Sequence, residues 1–229
     1  MGTDLLFLAD LARRAVVAGV LLLSGWSDYR TREVSDSYWV AGAAAAGPLL
    51  AYLYVHRYYY WQLHLLSILF AALLSAAVWR LRITGEADAL AFIFIGVFEP
   101  PTCYHPLTLF PLASTVLFSG AAALAISLYN AIENVSRGAL HELRGYSVFS
   151  KAAFLLALRY VTREEFEKKS YMFIPSTNEK GGPQLTLTTE PAPPPPGLEK
   201  FWASVLLPYV SLLAIGFLAY MLPALLLCP

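Results

Sequence analysis

Two aspartates sit at the edges of hydrophobic segments. Asp28 comes two residues after the apolar run "AVVAGVLLLSGW", inside "SDYRTREVSD", ten residues with five charges. Asp88 lies in "RITGEADALAFIFIG", where another apolar run begins. Carboxylates beside membrane helices are energetically costly, which makes them functional candidates by default. Two carboxylates that face each other share one proton, because like charges at short range do not both ionise. One then acts as general base on a water and the other as general acid. That scheme hydrolyses a peptide bond and asks for no metal or cofactor. The plainer alternative is a pair of hydrated helix ends, with Asp88 stabilised by the dipole of the helix it opens.

Which reading holds depends on the elements that carry the two residues. The chain has 229 residues, 58% hydrophobic and 14% charged, with a mean hydropathy of +0.56. Soluble domains are usually about 45–50% apolar and about 25% charged. The composition therefore describes an α-helical integral membrane protein. Net charge is zero, so nothing points to a nucleic-acid partner. Cys103 and Cys228 form no CxxC motif, and His56, His64, His105 and His141 form no HExxH. No metal site is expected.

A spanning helix needs about 20 mostly apolar residues. About six segments qualify: 5–26, 38–55, 61–79, 83–98, 107–132 and 201–227. The first has no small-x-small cleavage site after it and reads as a retained helix. Asp10, Arg13 and Arg14 burden its early turns. Asp10, Glu99 and Glu133 read as solvated end charges. The fourth is short and closes at Pro100-Pro101. Gly42, Gly47 and Gly96 read as points of close helix packing.

Between the fifth and sixth spans lies a polar stretch, 134–200, with nine of the sixteen Lys and Arg. "KAAFLLALRYVTREEFEKK" reads as helical at least in part, and "YMFIP" and "QLTLTT" as two strands. "EPAPPPPGLEK" is a stiff, extended linker. The expected organisation is a membrane part, 1–133, a small cytoplasmic α+β domain with its linker, 134–200, and a last spanning segment, 201–229. Arg30, Arg32, Arg80, Arg82, Arg137, Arg144 and Lys200 flank one membrane face, and Arg13, Arg14 and Arg57 the other. The positive-inside rule makes the first face cytoplasmic and puts both termini outside. The first span ends and the fourth begins on that cytoplasmic face, so Asp28 and Asp88 share a depth. Glu86 adds a third carboxylate next to Asp88, and the cluster favours a shared proton. Gly85, without a Cβ, suits an unusual backbone and the close approach of an extended substrate.

The two acidic stretches, in this order and place, resemble the motifs of the GxGD-type membrane aspartic peptidases. The match is to the type IV prepilin peptidase family and its archaeal preflagellin branch. "DYRTREVSD" resembles the family's first motif, an Asp at the end of the first helix followed by a basic segment and a hydrophobic-polar-Asp sequence. "GEAD" at 85–88 resembles the second, which opens the fourth helix. The resemblance covers most of residues 1–132. It implies that Asp28 and Asp88 are the catalytic pair, with Gly85, Glu86, Asp36 and Glu33 as motif support or substrate contacts. It implies a substrate as well: a preflagellin or prepilin-like precursor in the lipid membrane, cut between a short basic leader and a hydrophobic helix. Leu90 stands where the bacterial enzymes have Lys, and their four-cysteine zinc domain is missing; both departures favour the archaeal branch. The competing reading is a transporter or channel in which the same carboxylates bind protons or cations.

Overall fold

The computed structural model describes residues 2–81, 85–103, 105–178, 181–185 and 192–227. It is mostly helical, with one small sheet. The chain divides into two compact units: Met1–Ala122 with Pro208–Pro229, and Ala123–Leu207.

The first unit is built from helices. These are α1 (Gly2–Thr31), α2 (Asp36–Val55), α3 (Trp61–Leu81), α4 (Glu86–Phe98), the single turn α5 (Pro106–Leu109), the first part of α6 (Pro111–Ser136), and α9 (Tyr209–Leu227). Among the described residues, α2, α3, α6 and α9 are long and apolar enough to cross a membrane. The 30-residue α1 carries charges near both ends, and the 13-residue α4 is short. Leu65, Leu69 and Leu73 on α3 recur every four residues and are 46%, 50% and 71% exposed. A soluble helix buries such a row; a membrane helix turns it to lipid.

Helix starts follow local chemistry. Ser35 caps α2, its hydroxyl accepting from the Ser37 N–H at 3.4 Å. Val34, just before that cap, packs against the cluster that holds Trp39 in the first turns of α2. The core of the unit joins α1, α4 and α9 through Val17, Leu21, Phe92, Ile95, Leu213 and Phe217, all at most 2% exposed. Small residues set the helix spacing. A Cβ on Gly42 would lie 2.6 Å from Val20 Cγ2, and one on Gly96 would collide with Ala71. Gly47 has open space instead, so the expectation of close packing fails there.

The second unit holds the end of α6, then α7 (Val148–Ala157), β1 (Leu158–Thr162), α8 (Arg163–Lys168), β2 (Phe173–Pro175) and β3 (Lys200–Val205). The sheet order is β1-β3-β2, both pairs antiparallel, with Tyr160 opposite Trp202 and Phe173 opposite Val205. Asn134 ties α6 to the sheet: its Nδ2 donates to the Leu155 and Leu158 carbonyls at 3.0 and 2.7 Å, and its Oδ1 accepts from Tyr160 N at 2.8 Å.

The structure refines or corrects the sequence expectations at three points. The stretch 151–169, expected to be helical at least in part, is helical at both ends and interrupted by β1, where Tyr160, Val161 and Thr162 favour a pleated strand. Thr162 then caps α8 by accepting from Glu165 N at 3.2 Å. The last span does not begin at residue 201: 201–205 belong to the central strand, and Pro208 separates them from α9. A short apolar run does not by periodicity distinguish strand from helix. Of the two expected strands, the first is a strand only over Phe173–Pro175, and most of "QLTLTT" lies outside the described residues.

Candidate active site

Asp28 sits in the last turn of α1, beyond the apolar run that ends at Trp26, and is 8% exposed. Its Oδ2 accepts from the backbone N–H of Val210 at 3.0 Å and from that of Ser211 at 3.4 Å. These belong to the first turn of α9. A helix leaves its first N–H groups without internal partners, and the residue before it normally supplies an acceptor side chain. Pro208 has no such side chain. Asp28 provides the cap from 182 residues away in sequence.

Two further contacts fix α9 against α1. Ser211 Oγ donates to the Gly25 carbonyl at 2.5 Å. A Cβ on Gly25 would lie 2.9 Å from Ser211 Cα, so the backbones meet there. Arg32 Nη1 stands 3.9 Å from Asp28 Oδ1. Burial pushes the Asp28 carboxyl above the usual carboxylate range; Arg32 and the two N–H donors oppose that rise.

Asp88 sits in the first turn of α4 and is 8% exposed. Its Oδ2 accepts from Gly85 N at 2.9 Å, and its own N–H donates to the Gly85 carbonyl at 3.2 Å. Both bonds close the start of α4. Gly85 has φ −74 and ψ 167, an ordinary extended backbone, so the expected unusual conformation is absent. Among the described residues, a Cβ there would meet Asp88 Oδ2 alone, at 3.8 Å, an ordinary contact.

The start of α9 also meets α4. Tyr209 packs edge-on against Phe92, ring centroids 6.0 Å apart, and Phe92 lies four residues after Asp88. Tyr209 and Val210 are consecutive in the first turn of α9: the one packs against Phe92, about one helical turn after Asp88, and the other is bonded to Asp28. Glu33, Asp36 and Glu86 surround this end of the unit and are exposed. The Glu33 carbonyl accepts from Ser27 Oγ at 2.7 Å, which holds the turn after α1. Asp36 opens α2 and Glu86 opens α4.

The role of α9 was not legible beforehand. "PYVSLL" carries no motif, and its contribution comes from backbone N–H groups. Nor was the opposite end of the unit. Asp10, Arg13, Arg14 and Glu99 are 5%, 0%, 2% and 0% exposed, which overturns the expectation that Asp10 and Glu99 are solvated. Arg13 reaches Asp10 and Glu99 at 2.7 Å each and donates to the Phe98 carbonyl. Arg14 lies 3.0 Å from Asp10 and 3.8 Å from Glu99. Tyr220 donates to Glu99 at 3.3 Å and Tyr59 donates to Asp10. Two cations and two anions neutralise one another, which is what makes burial tolerable. In the second unit, Glu133 is likewise engaged, pairing with Arg137 and Arg159 at 2.5 and 2.8 Å.

No group of three metal-binding side chains occurs among the described residues. No family model, curated protein or solved structure matches the chain.

Proposed function

We propose that the protein is a membrane aspartic endopeptidase of the preflagellin and prepilin peptidase kind, with Asp28 and Asp88 as the pair that activates water. The observation that supports the reading is that the first turn of α9 meets both helix ends, bonding to Asp28 through Val210 and packing Tyr209 on Phe92, about one turn after Asp88. Two largely buried carboxylates beside a shared element suit a site in which one proton is held between them. The raised carboxyl of Asp28 suits the general acid.

On this reading α1 and α4 also cross the membrane, making six spans with α2, α3, α6 and α9. The end with Asp28 and Asp88 faces the cytoplasm, and both termini face outside. Cys103, beyond the far end of α4, is disulfide-bonded, which suits the oxidising side; Cys228 lies outside the described residues. The substrate is a precursor whose basic leader stays cytoplasmic and whose hydrophobic helix enters the bilayer, so the cleaved junction lies at the depth of the pair. The exposed Glu33, Asp36 and Glu86 attract that leader.

The test is cleavage of a leader-bearing precursor by the purified protein in detergent, beside Asp28→Asn and Asp88→Asn. Cleavage by the wild type and by neither variant is expected. Wild-type-like cleavage by either variant removes the pair. Ion flux in liposomes without cleavage favours the transporter reading instead.

A further inference from the structure

We infer that Gly25 is a positioning residue for Asp28, acting through the first turn of α9; the inference rests on the peptidase reading for its kinetic consequence alone. Asp28 is held by two backbone donors, and those donors are where they are because α1 and α9 meet without an intervening side chain. The meeting point is three residues, just under one helical turn, before Asp28. A Cβ at residue 25 would lie 2.9 Å from Ser211 Cα and 3.3 Å from the Val210 carbonyl oxygen. Both neighbours are backbone and cannot swing aside as a side chain would. Relief requires α9 to move away from α1, and that movement lengthens the hydrogen bonds from Val210 N and Ser211 N. Ser211 Oγ fastens the same point by donating to the Gly25 carbonyl at 2.5 Å.

The donors do electrostatic work as well. Each N–H favours the charged form of Asp28, and so does Arg32, against the effect of burial. Among the described residues, the other titratable groups at this end are Tyr29 and Arg30 on α1, Glu33 in the turn after it, Asp36 and Tyr38 on α2, Arg80 on α3, Glu86 and Asp88 on α4, and Tyr209 on α9. All but Tyr209 lie on elements that do not move with α9. A displacement just large enough to clear a Cβ leaves Asp28 covered and weakens its two N–H donors, so the ionisation of Asp28 moves to higher pH.

The experiment is Gly25→Ala in the full chain, with two readouts. Infrared difference titration, with Asp28→Asn used to assign the band, follows protonation of Asp28 whether or not the protein cleaves anything. Steady-state kinetics on the leader-bearing precursor follow catalysis. The expected result is a titration about one pH unit higher, with kcat down about tenfold or more and KM within about twofold. Ser211→Ala should shift the titration the same way by less, and Ser211→Thr, which keeps the hydroxyl, should restore it. These milder variants decide the matter if Gly25→Ala does not fold. Wild-type titration in Gly25→Ala, or in Ser211→Ala when that is the variant that folds, overturns the inference. An inactive wild type with the shift present overturns the peptidase reading and leaves the positioning role standing.

Discussion

The carboxylate of Asp28 accepts a hydrogen bond from the backbone N–H of Val210 at 3.0 Å, joining the last turn of one helix to the first turn of another. The same side chain is thus proposed to do chemistry and is observed to cap a helix. These two roles respond differently to substitution.

Asparagine is as good a helix cap as aspartate, and alanine is not. Asp28→Asn should therefore keep wild-type thermal stability in detergent while losing cleavage. Asp28→Ala should lose cleavage and, in addition, about 1 kcal/mol of stability. Equal stability of the two variants would remove the capping role.

Asp88 closes the start of α4 through Gly85. Asp88→Asn retains an acceptor for the Gly85 N–H, so circular dichroism and thermal unfolding should match the wild type. Cleavage should fall to background. Residual turnover near the wild-type rate would exclude Asp88 from the pair.

Arg32 is the cation that opposes the effect of burial on Asp28. Removing a cation disfavours the carboxylate, so the proton is held to higher pH. In a coupled pair both apparent ionisations then rise, whichever residue carries the proton. The pH–rate profile of Arg32→Gln should accordingly move upward at both limbs. A downward or absent movement contradicts the assigned electrostatics.

At the other end, Glu99 is fully buried between Arg13 and Arg14. Glu99→Leu leaves those cations short of a partner, and breaking a buried pair costs about 3–5 kcal/mol. Converting Arg14 to Met in the same chain should recover part of that loss. Urea unfolding in detergent measures both steps, and additive losses would mean that the charges are not coupled.

The two aspartates were legible because a charge beside an apolar run stands out, and because "GEAD" and "SDYRTREVSD" lie at helix ends. The helices α2, α3 and α4 were legible for the same reason, within a few residues. Other features were hidden for identifiable physical reasons. "FWASV" is as hydrophobic as a spanning segment, and only pairing with β1 and β2 makes it a strand. Asp10 and Glu99 look like end charges until two arginines from the next turn of α1 are seen to enclose them. The N–H groups of Val210 and Ser211 leave no trace in residue identity, because every non-proline residue has one. Gly25 looked like any small residue in an apolar run, and its meaning depends on Ser211 opposite.

The neutral ion cluster also constrains how the chain is made. Of the charges that α1 contributes to the cluster, Asp10, Arg13 and Arg14, one positive charge is in excess. Its compensating anion, Glu99, is 86 residues downstream of Arg13 and is synthesised long afterwards. On the peptidase reading, in which α1 and α4 both cross the membrane, α1 is until then a poor tenant of the hydrocarbon layer, and its insertion should wait on the fourth helix. Chains truncated before Glu99 should be released from membranes by alkaline carbonate, and chains that extend past α4 should be retained. Release of neither would show that α1 enters without its partner.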